Sequence, residues 1–434
     1  MSLSTLEALR RGDLAGARTL RLNGLGLEAV PPEVFALRDT LEELDLGNNR
    51  LSELPPAMAT LGRLRVIFGS NNPFPLLPPV LGGCAALTQV GFRGTGLREV
   101  PAESLPLRLR WLTLTDNAIG TLPAALGERP ALQKLMLAGN RLEQLPEGLA
   151  GAPSLELLRI GANRFEALPP WLTALPQLCW LGYAGNPAEP AMRGAAAVPD
   201  VPWEAIEPGA ALGEGASGRV QAALWHGQAG AAPRPVALKL FRGAMTSDGL
   251  PGHEIAASLA AGAHPNLAGA LGRVMGHPEG VEGLLLPLLP EGWRALAGPP
   301  SLAGCTRDDY APALRLPWPV ARRLALAAGA GAAQLHGRGL LHGDLYAHNL
   351  LWDGRAGEAV LSDLGAASVL PGGEDGLAMQ RLEVRAWGLL LEELIARAEA
   401  VPEAARAVAA RCVQPVPADR PLMAEALRAL EACA

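Results

Sequence analysis

Lys239 is one of only two lysines in a chain of 434 residues that carries 37 basic side chains; the other is Lys134. Arginine stands wherever charge alone is needed. A lysine that stays marks chemistry requiring a compact ammonium on a slim stem, which a broad guanidinium does not copy. Further along, Asp344 and Asn349 lie five positions apart on a stretch flanked by apolar runs, and Asp363 ends an apolar run fourteen positions after Asn349. A carboxylate and an asparagine so spaced on one loop can aim at one substrate and one metal. From residue 201 onward there is one lysine, and the asparagines are Asn266 and Asn349. Scarcity makes the ordered set more specific than any of its members, each of which alone reads as a surface carboxylate or a turn residue.

The elements that position these residues follow from the local pattern. Leu212, Gly213, Gly215, Gly218 and Val220 form a glycine turn between two apolar stretches, a strand-turn-strand whose backbone N–H groups can approach phosphate oxygens where a side chain would collide. By itself such a turn is also what a plain glycine hairpin looks like. Lys239 closes the apolar run Val236-Ala237-Leu238, and Glu254 lies in a helical stretch just before His264-Pro265-Asn266.

The first half of the chain is periodic. Blocks of about 23 residues open at Leu41, Leu64, Leu87, Leu109, Leu132, Leu155 and Leu178, after a degenerate block near Ala17. Leucines at the first, fourth and sixth positions point inward from a short strand. Asn49, Asn72, Asn117, Asn140, Asn163 and Asn186 can bond the backbone at the turn behind it, and a Leu-Pro step such as Leu54-Pro55 or Leu145-Pro146 turns the chain away. One block cannot bury its own apolar face but a stack can, giving a solenoid. Residues between the inward leucines face a potential partner: Val66, Phe68, Trp111, Met136, Leu157 and Trp180, with Lys134 and Arg159 among them. An apolar, tryptophan-bearing stripe suits a protein or peptide partner, or else packs internally.

Composition sets the outer bounds. A net charge of -6 with 18% charged residues argues against a nucleic-acid partner. No basic stretch followed by an apolar one opens the chain, so no secretory signal is expected, and runs such as Leu284 to Leu289 are too short to span a bilayer. Five scattered cysteines without metal spacing read as reduced thiols in a cytoplasmic protein. Periodicity ends after Asn186. The chain therefore divides into a repeat solenoid over 1–187, an Ala/Pro/Gly-rich linker over 188–202 and a second domain over 203–434.

Residues 15–187 resemble leucine-rich repeats, and residues 203–434 resemble the eukaryotic-like protein kinases. The whole chain looks like a bacterial leucine-rich repeat protein kinase. The implied fold is a multidomain α/β and α+β chain: a leucine-rich repeat solenoid followed by a bilobal protein-kinase-like domain. The resemblance implies that Leu212, Gly213, Gly215, Gly218, Val220, Ala237 and Lys239 bind ATP, with Glu254 holding Lys239. It makes Asp344 the catalytic aspartate and Asn349 and Asp363 the magnesium ligands. Trp387-Gly388 and Arg420-Pro421 resemble the family's later helices.

Several positions depart from that pattern. Gly343 replaces the arginine that usually precedes the catalytic aspartate, so switching by loop phosphorylation is not expected. Tyr346 replaces a lysine, with His348 as a substitute cation or a loop cap. Asp363 begins Asp-Leu-Gly in place of Asp-Phe-Gly, no Ala-Pro-Glu follows, and Glu383, where the family has an aspartate, falls at the apparent start of the next large helix, only about twenty residues on. The implied activity is a Ser/Thr protein kinase whose Mg-ATP phosphorylates a protein recruited by the repeats. Two alternatives stand beside it: a nucleotide-binding scaffold without turnover, and a small-molecule kinase resembling the aminoglycoside and choline kinases.

Overall fold

A computed structural model describes residues 3–192, 198–215, 217–227, 232–243, 245, 246 and 248–433. Ala216 of the glycine turn and residues 193–197 of the expected linker lie outside them. The chain forms two compact units, Met1–Gln177 with Asn186–Ala188, and Leu178–Gly185 with Glu189–Ala434.

The repeats begin with helix α1 (Leu3–Arg11) and build one parallel sheet in sequence order. Its eight short strands are β1 (Thr19–Arg21), β2 (Glu43–Asp45), β3 (Val66–Phe68), β4 (Gln89–Gly91), β5 (Trp111–Thr113), β6 (Lys134–Met136), β7 (Leu157–Arg159) and β8 (Trp180–Gly182). The last of these, β8, counts with the second unit. Strands stay short because each is followed by an obligatory turn. One position before each ladder asparagine the backbone is left-handed, at Asn48, Asn71, Asp116, Gly139, Ala162 and Gly185, mostly residue types that tolerate it. Asn140 is typical: its Nδ2 donates to the carbonyls of Leu114 and Leu137, both at 2.9 Å, and its Oδ1 accepts from the Ile119 amide at 3.1 Å. Proline then starts a 3-10 turn on the opposite side, as at Pro55, Pro146 and Pro169. Leu41, Leu44 and Leu46 show the inward set, all fully buried.

After β8 the second unit continues with a six-stranded sheet. Its strands are β9 (Asp200–Pro202), β10 (Ile206–Gly215), β11 (Gly218–Trp225), β12 (Arg234–Phe241), β13 (Gly272–Met275) and β14 (Gly283–Pro287), ordered β10-β11-β12-β14-β13-β9. All pairs are antiparallel except β9 with β13. Alternation along β12 decides what faces where. Val236, Leu238 and Leu240 enter one core with Val201, Val274 and Leu285, while Phe241 joins Ile255 of helix α2 (Pro251–Ala260) on the other face. The expected linker therefore ends early. Residues 200–202 are an edge strand because Val201 has an apolar core to enter, and its methyl lies 2.7 Å from where a Cβ on Gly272 would sit.

The rest is mostly helical: α3 (Trp318–Gly337), α4 (Gly373–Ile395), α5 (Glu403–Cys412) and α6 (Met423–Glu431). Short strand pairs join them. These are β15 (Arg294–Ala295) with β18 (Leu350–Trp352), β16 (Leu316–Pro317) with β21 (Ala398–Glu399), β17 (Leu340–Leu341) with β20 (Ser368–Val369), and β18 with β19 (Ala359–Leu361). Trp387 is fully buried and its indole donates to the Ala325 carbonyl at 2.8 Å, locking α4 to α3. Glu383 does not start this helix: α4 begins at Gly373, ten positions after Asp363 (373 − 363), right after Pro371-Gly372. Glu374 and Asp375 in its first turn suit the positive helix end. No helix among the described residues is long and apolar enough to cross a membrane.

The asparagine ladder is testable on its own. Asn140→Ala strands two carbonyls and one amide in a dry interior, so unfolding of the full chain in urea should show a loss of about 3 kcal/mol. A loss below about 0.5 kcal/mol, the scale of a neutral surface change, would show that the ladder carries little.

Candidate functional site

Lys239 and Glu254 meet as an ion pair, Nζ to Oε1, between the sheet and α2. Register explains the meeting. Lys239 pairs with Val220 on β11 and Leu284 on β14, while Ala237 pairs with Ala222 and Leu286, so these six side chains share the face that looks toward α2. The carboxylate side chain is 5% exposed and the lysine 12%. Burial pushes the Glu254 carboxyl up to about 7; the Lys239 charge opposes this, and the nearby Asp363 charge adds to it.

The glycine turn joins β10 to β11, with Gly213 opposite Val220 and Gly215 opposite Gly218. Its glycines are not equivalent. A Cβ on Gly218 would stand 2.1 Å from the Leu240 carbonyl oxygen, so the sheet itself requires glycine there. At Gly213 and Gly215 a Cβ would meet nothing within 4 Å, so packing within the protein does not demand them. Leu212 beside them is exposed, Val220 half-buried and Ala237 buried.

Asp344 and Asn349 are brought together by a folded loop. The Asn349 amide nitrogen donates to the Asp344 carbonyl at 2.9 Å and to its carboxylate at 2.8 Å, which leaves Oδ1 as the atom Asn349 can offer. This loop is tied to the strand leading to Asp363: Ser362 donates its amide (2.8 Å) and hydroxyl (2.9 Å) to the Asn349 carbonyl, and the His342 ring lies 3.1 Å from the Ser362 carbonyl. Asp363 itself has a left-handed backbone and accepts from the Gly365 amide at 3.1 Å. A Cβ on Gly365 would lie 3.1 Å from Asp363 Oδ1 and 3.6 Å from Glu254 Oε2, which places both carboxylates around one glycine. A continuous chain of neighbours thus runs from Lys239 through Glu254, Asp363, Ser362 and Asn349 to Asp344.

Several supporting residues escaped the sequence pattern. Asp308 accepts from the His348 amide at 3.0 Å and pairs with its Nδ1 at 2.7 Å, while His348 Nε2 lies 3.9 Å from Asp344. Burial pulls the His348 imidazole down, but Asp308, Asp344 and Asp363 outweigh it and its pKa is raised. Glu383, inside α4, accepts from the Gly343 amide at 2.7 Å and lies 2.8 Å from the His336 ring. Burial alone would raise the Glu383 carboxyl, yet His336, His342 and that amide hold it below its ordinary value. Gly343 has φ +74°, and a Cβ there would lie 2.6 Å from the carbonyl oxygens of Ala366 and Leu181. No arginine fits in its place. Asp308 reaches His348 across 40 positions, a contact that local spacing does not announce.

The expected partner-facing residues divide. Phe68, Trp111 and Lys134 are half-buried, and the Lys134 ammonium sits 4.1 Å from the Trp111 ring centroid. Val66, Met136, Leu157 and Arg159 are buried. In-register pairing sets Trp111 beside Lys134 and Lys134 beside Leu157, so long side chains at equivalent positions cover one another. Trp180 is not presented to a partner: it is buried, stacked on Tyr346 at 4.2 Å with an interplanar angle of 8°.

Two measurements follow. Gly218→Ala should destabilise the chain by about 2 kcal/mol through overpacking, whereas Gly213→Ala should stay within about 0.5 kcal/mol; equal losses in denaturant unfolding would contradict this sorting. Because the folded Glu254 carboxyl titrates above its ordinary 4.5, the native state holds an extra proton between pH about 4.5 and about 7, and this group's contribution falls as pH rises through that window. Glu254→Gln removes that slope, so its melting temperature relative to wild type should climb from pH 5 to pH 7.5; a constant or falling difference contradicts the assignment.

Comparison with known proteins bears on the repeats. Residues 107–186 match the family model described as Leucine rich repeat, and residues 40–61 match a second model, Leucine Rich Repeat. Human vasorin is 34% identical over 124 residues, 27% of this chain and 18% of that protein. Mouse vasorin is 32% identical over 129 residues, 28% of this chain and 19% of that protein. The chain thus spans under a fifth of the length of these relatives. The solved structure of an LRR protein from Leptospira interrogans is 28% identical, covering 42% of this chain and 46% of that one with a TM-score of 0.39. Residues 40–61 and 107–186 are leucine-rich repeats, the kind of surface that engages protein partners.

Proposed function

We propose that the second unit is an ATP-dependent phosphotransferase of the eukaryotic-like protein kinase type, acting on a Ser or Thr hydroxyl of a protein bound by the leucine-rich repeats. The observation that carries this reading is the unbroken line from Lys239 and Glu254 through Asp363 to Asn349 and Asp344. In this reading the open glycines Gly213 and Gly215 let backbone amides approach the triphosphate. Lys239, held by Glu254, grips the α/β-phosphates, and Asp344 orients the acceptor hydroxyl and takes its proton. No group of three or more His, Cys, Asp or Glu suited to a metal occurs among the described residues. The donor set fits an ion shared with phosphates: Asp363 offers a carboxylate and Asn349 its Oδ1, and magnesium commonly uses one or two protein oxygens in this way. When bound there, magnesium supplies charge neutralisation at the phosphates.

A second reading, a small-molecule kinase, is favoured by one observation. Ten positions from Asp363 to the start of α4 leave little chain on which to lay a substrate peptide.

Incubation with radiolabelled ATP and magnesium, followed by phosphosite mapping, tests both. Wild type should label protein Ser or Thr; Asp344→Asn should lower the rate at least about 100-fold, and Lys239→Arg about tenfold or more, because a broad guanidinium does not reproduce the ammonium contact. Equal labelling by wild type and Asp344→Asn would sink the phosphotransferase reading. A phosphorylated metabolite from a substrate panel, without protein labelling, would select the second reading.

A further inference from the structure

Both segments that flank Asp344 are gripped by one strand and the turn after it. The Trp180 indole on β8 stacks on Tyr346 and its Nε1 donates to the Leu345 carbonyl at 3.0 Å, at the two residues directly after Asp344. The Arg307 guanidinium lies 5.3 Å from the same indole. Just past β8, the Tyr183 amide donates to the Ser368 hydroxyl at 3.0 Å and the Tyr183 hydroxyl donates to the Val369 carbonyl. Glu189 completes the grip, accepting from the Gly185 amide at 2.7 Å and the Val369 amide at 2.8 Å. Ser368–Val369 is β20, which pairs with β17 and so fixes the entry to His342, Gly343 and Asp344. Every residue in this set belongs to the second unit.

We propose that β8 is part of the catalytic apparatus, with Trp180 and Tyr183 as positioning residues that hold the loop carrying Asp344 and Asn349 in register with the segment after Asp363. This rests on the phosphotransferase reading for its catalytic consequence, but the grip itself is independent of that reading. An Asp344 carboxylate must meet a hydroxyl within hydrogen-bond reach, and its neighbours Leu345 and Tyr346 have no regular strand or helix of their own to stiffen them. An indole offers two restraints at once: a flat apolar surface against the Tyr346 ring and a directed bond to the Leu345 carbonyl. The nucleotide side of the site, Lys239 with Gly213 and Gly215, takes no part in these contacts. The loss of Trp180 should therefore slow the chemical step and leave ATP binding alone.

Trp180→Ala and Trp180→Phe in the 434-residue chain test this by kinetics and by hydrogen exchange. Trp180→Ala should lower kcat on the order of 100-fold, as a loop displaced by about an ångström does, with the KM for ATP within about twofold because the nucleotide contacts are untouched. Trp180→Phe keeps the stack and loses only the bond to Leu345, so it should recover about tenfold of that loss. Amides of residues 345–349 should exchange about tenfold faster in Trp180→Ala while β10 to β12 stay as protected as in wild type. Unchanged exchange at 345–349, a kcat within about threefold of wild type, or faster exchange throughout the unit with no recovery in Trp180→Phe would each overturn the proposal. If wild type transfers no phosphate the phosphotransferase reading falls, and the exchange measurement alone decides whether Trp180 positions the loop.

Discussion

Two opposite charges set side by side away from water, Lys239 and Glu254, impose the constraint on which the second unit is organised. Removing either partner leaves the other bare, at a cost of about 3–5 kcal/mol, so sheet and helix must arrive together. The alternation of β12 turns Lys239 toward α2, and Ile255, next to Glu254, packs with Phe241 and Leu284 to hold that helix against the strand. The pair is also electrically tight. Asp363 stands close enough for its charge to add to the rise of the Glu254 carboxyl.

The loop around Asp344 is organised by different means. Asp308, Glu383 and Ser362 each hold a backbone group of the loop, through the His348 amide, the Gly343 amide and the Asn349 carbonyl. These contacts fix where the backbone runs, while the Asp344 carboxylate accepts from the Asn349 side-chain amide at 2.8 Å and lies 3.9 Å from His348.

What could be read from sequence had either a period or a scarcity behind it. The repeats were legible because stacking enforces leucine and asparagine at fixed intervals, and Lys239, Asn349 and Asp363 because rare or ordered types kept one spacing. Trp180 departs from its expected place for the same reason: the repeat pattern assigns it to an outward position, and nothing local announces that Tyr346, over 160 residues away, covers it. Asp308 and Glu383 act on amides across the fold, contacts that no window of sequence contains. The start of α4 is hidden from the local pattern because its first turns are glycine-rich and polar, while its buried stripe becomes continuous only from Leu382.

Gly343 governs how tightly the entry to the Asp344 loop is packed. Its missing side chain admits the carbonyls of Leu181 and Ala366 to within 2.6 Å of the place where a Cβ would stand. Any side chain there would force the backbone on both sides to retreat. The glycine is thus a shared wall where three stretches of backbone occupy one small volume, and its bareness sets how close they can come.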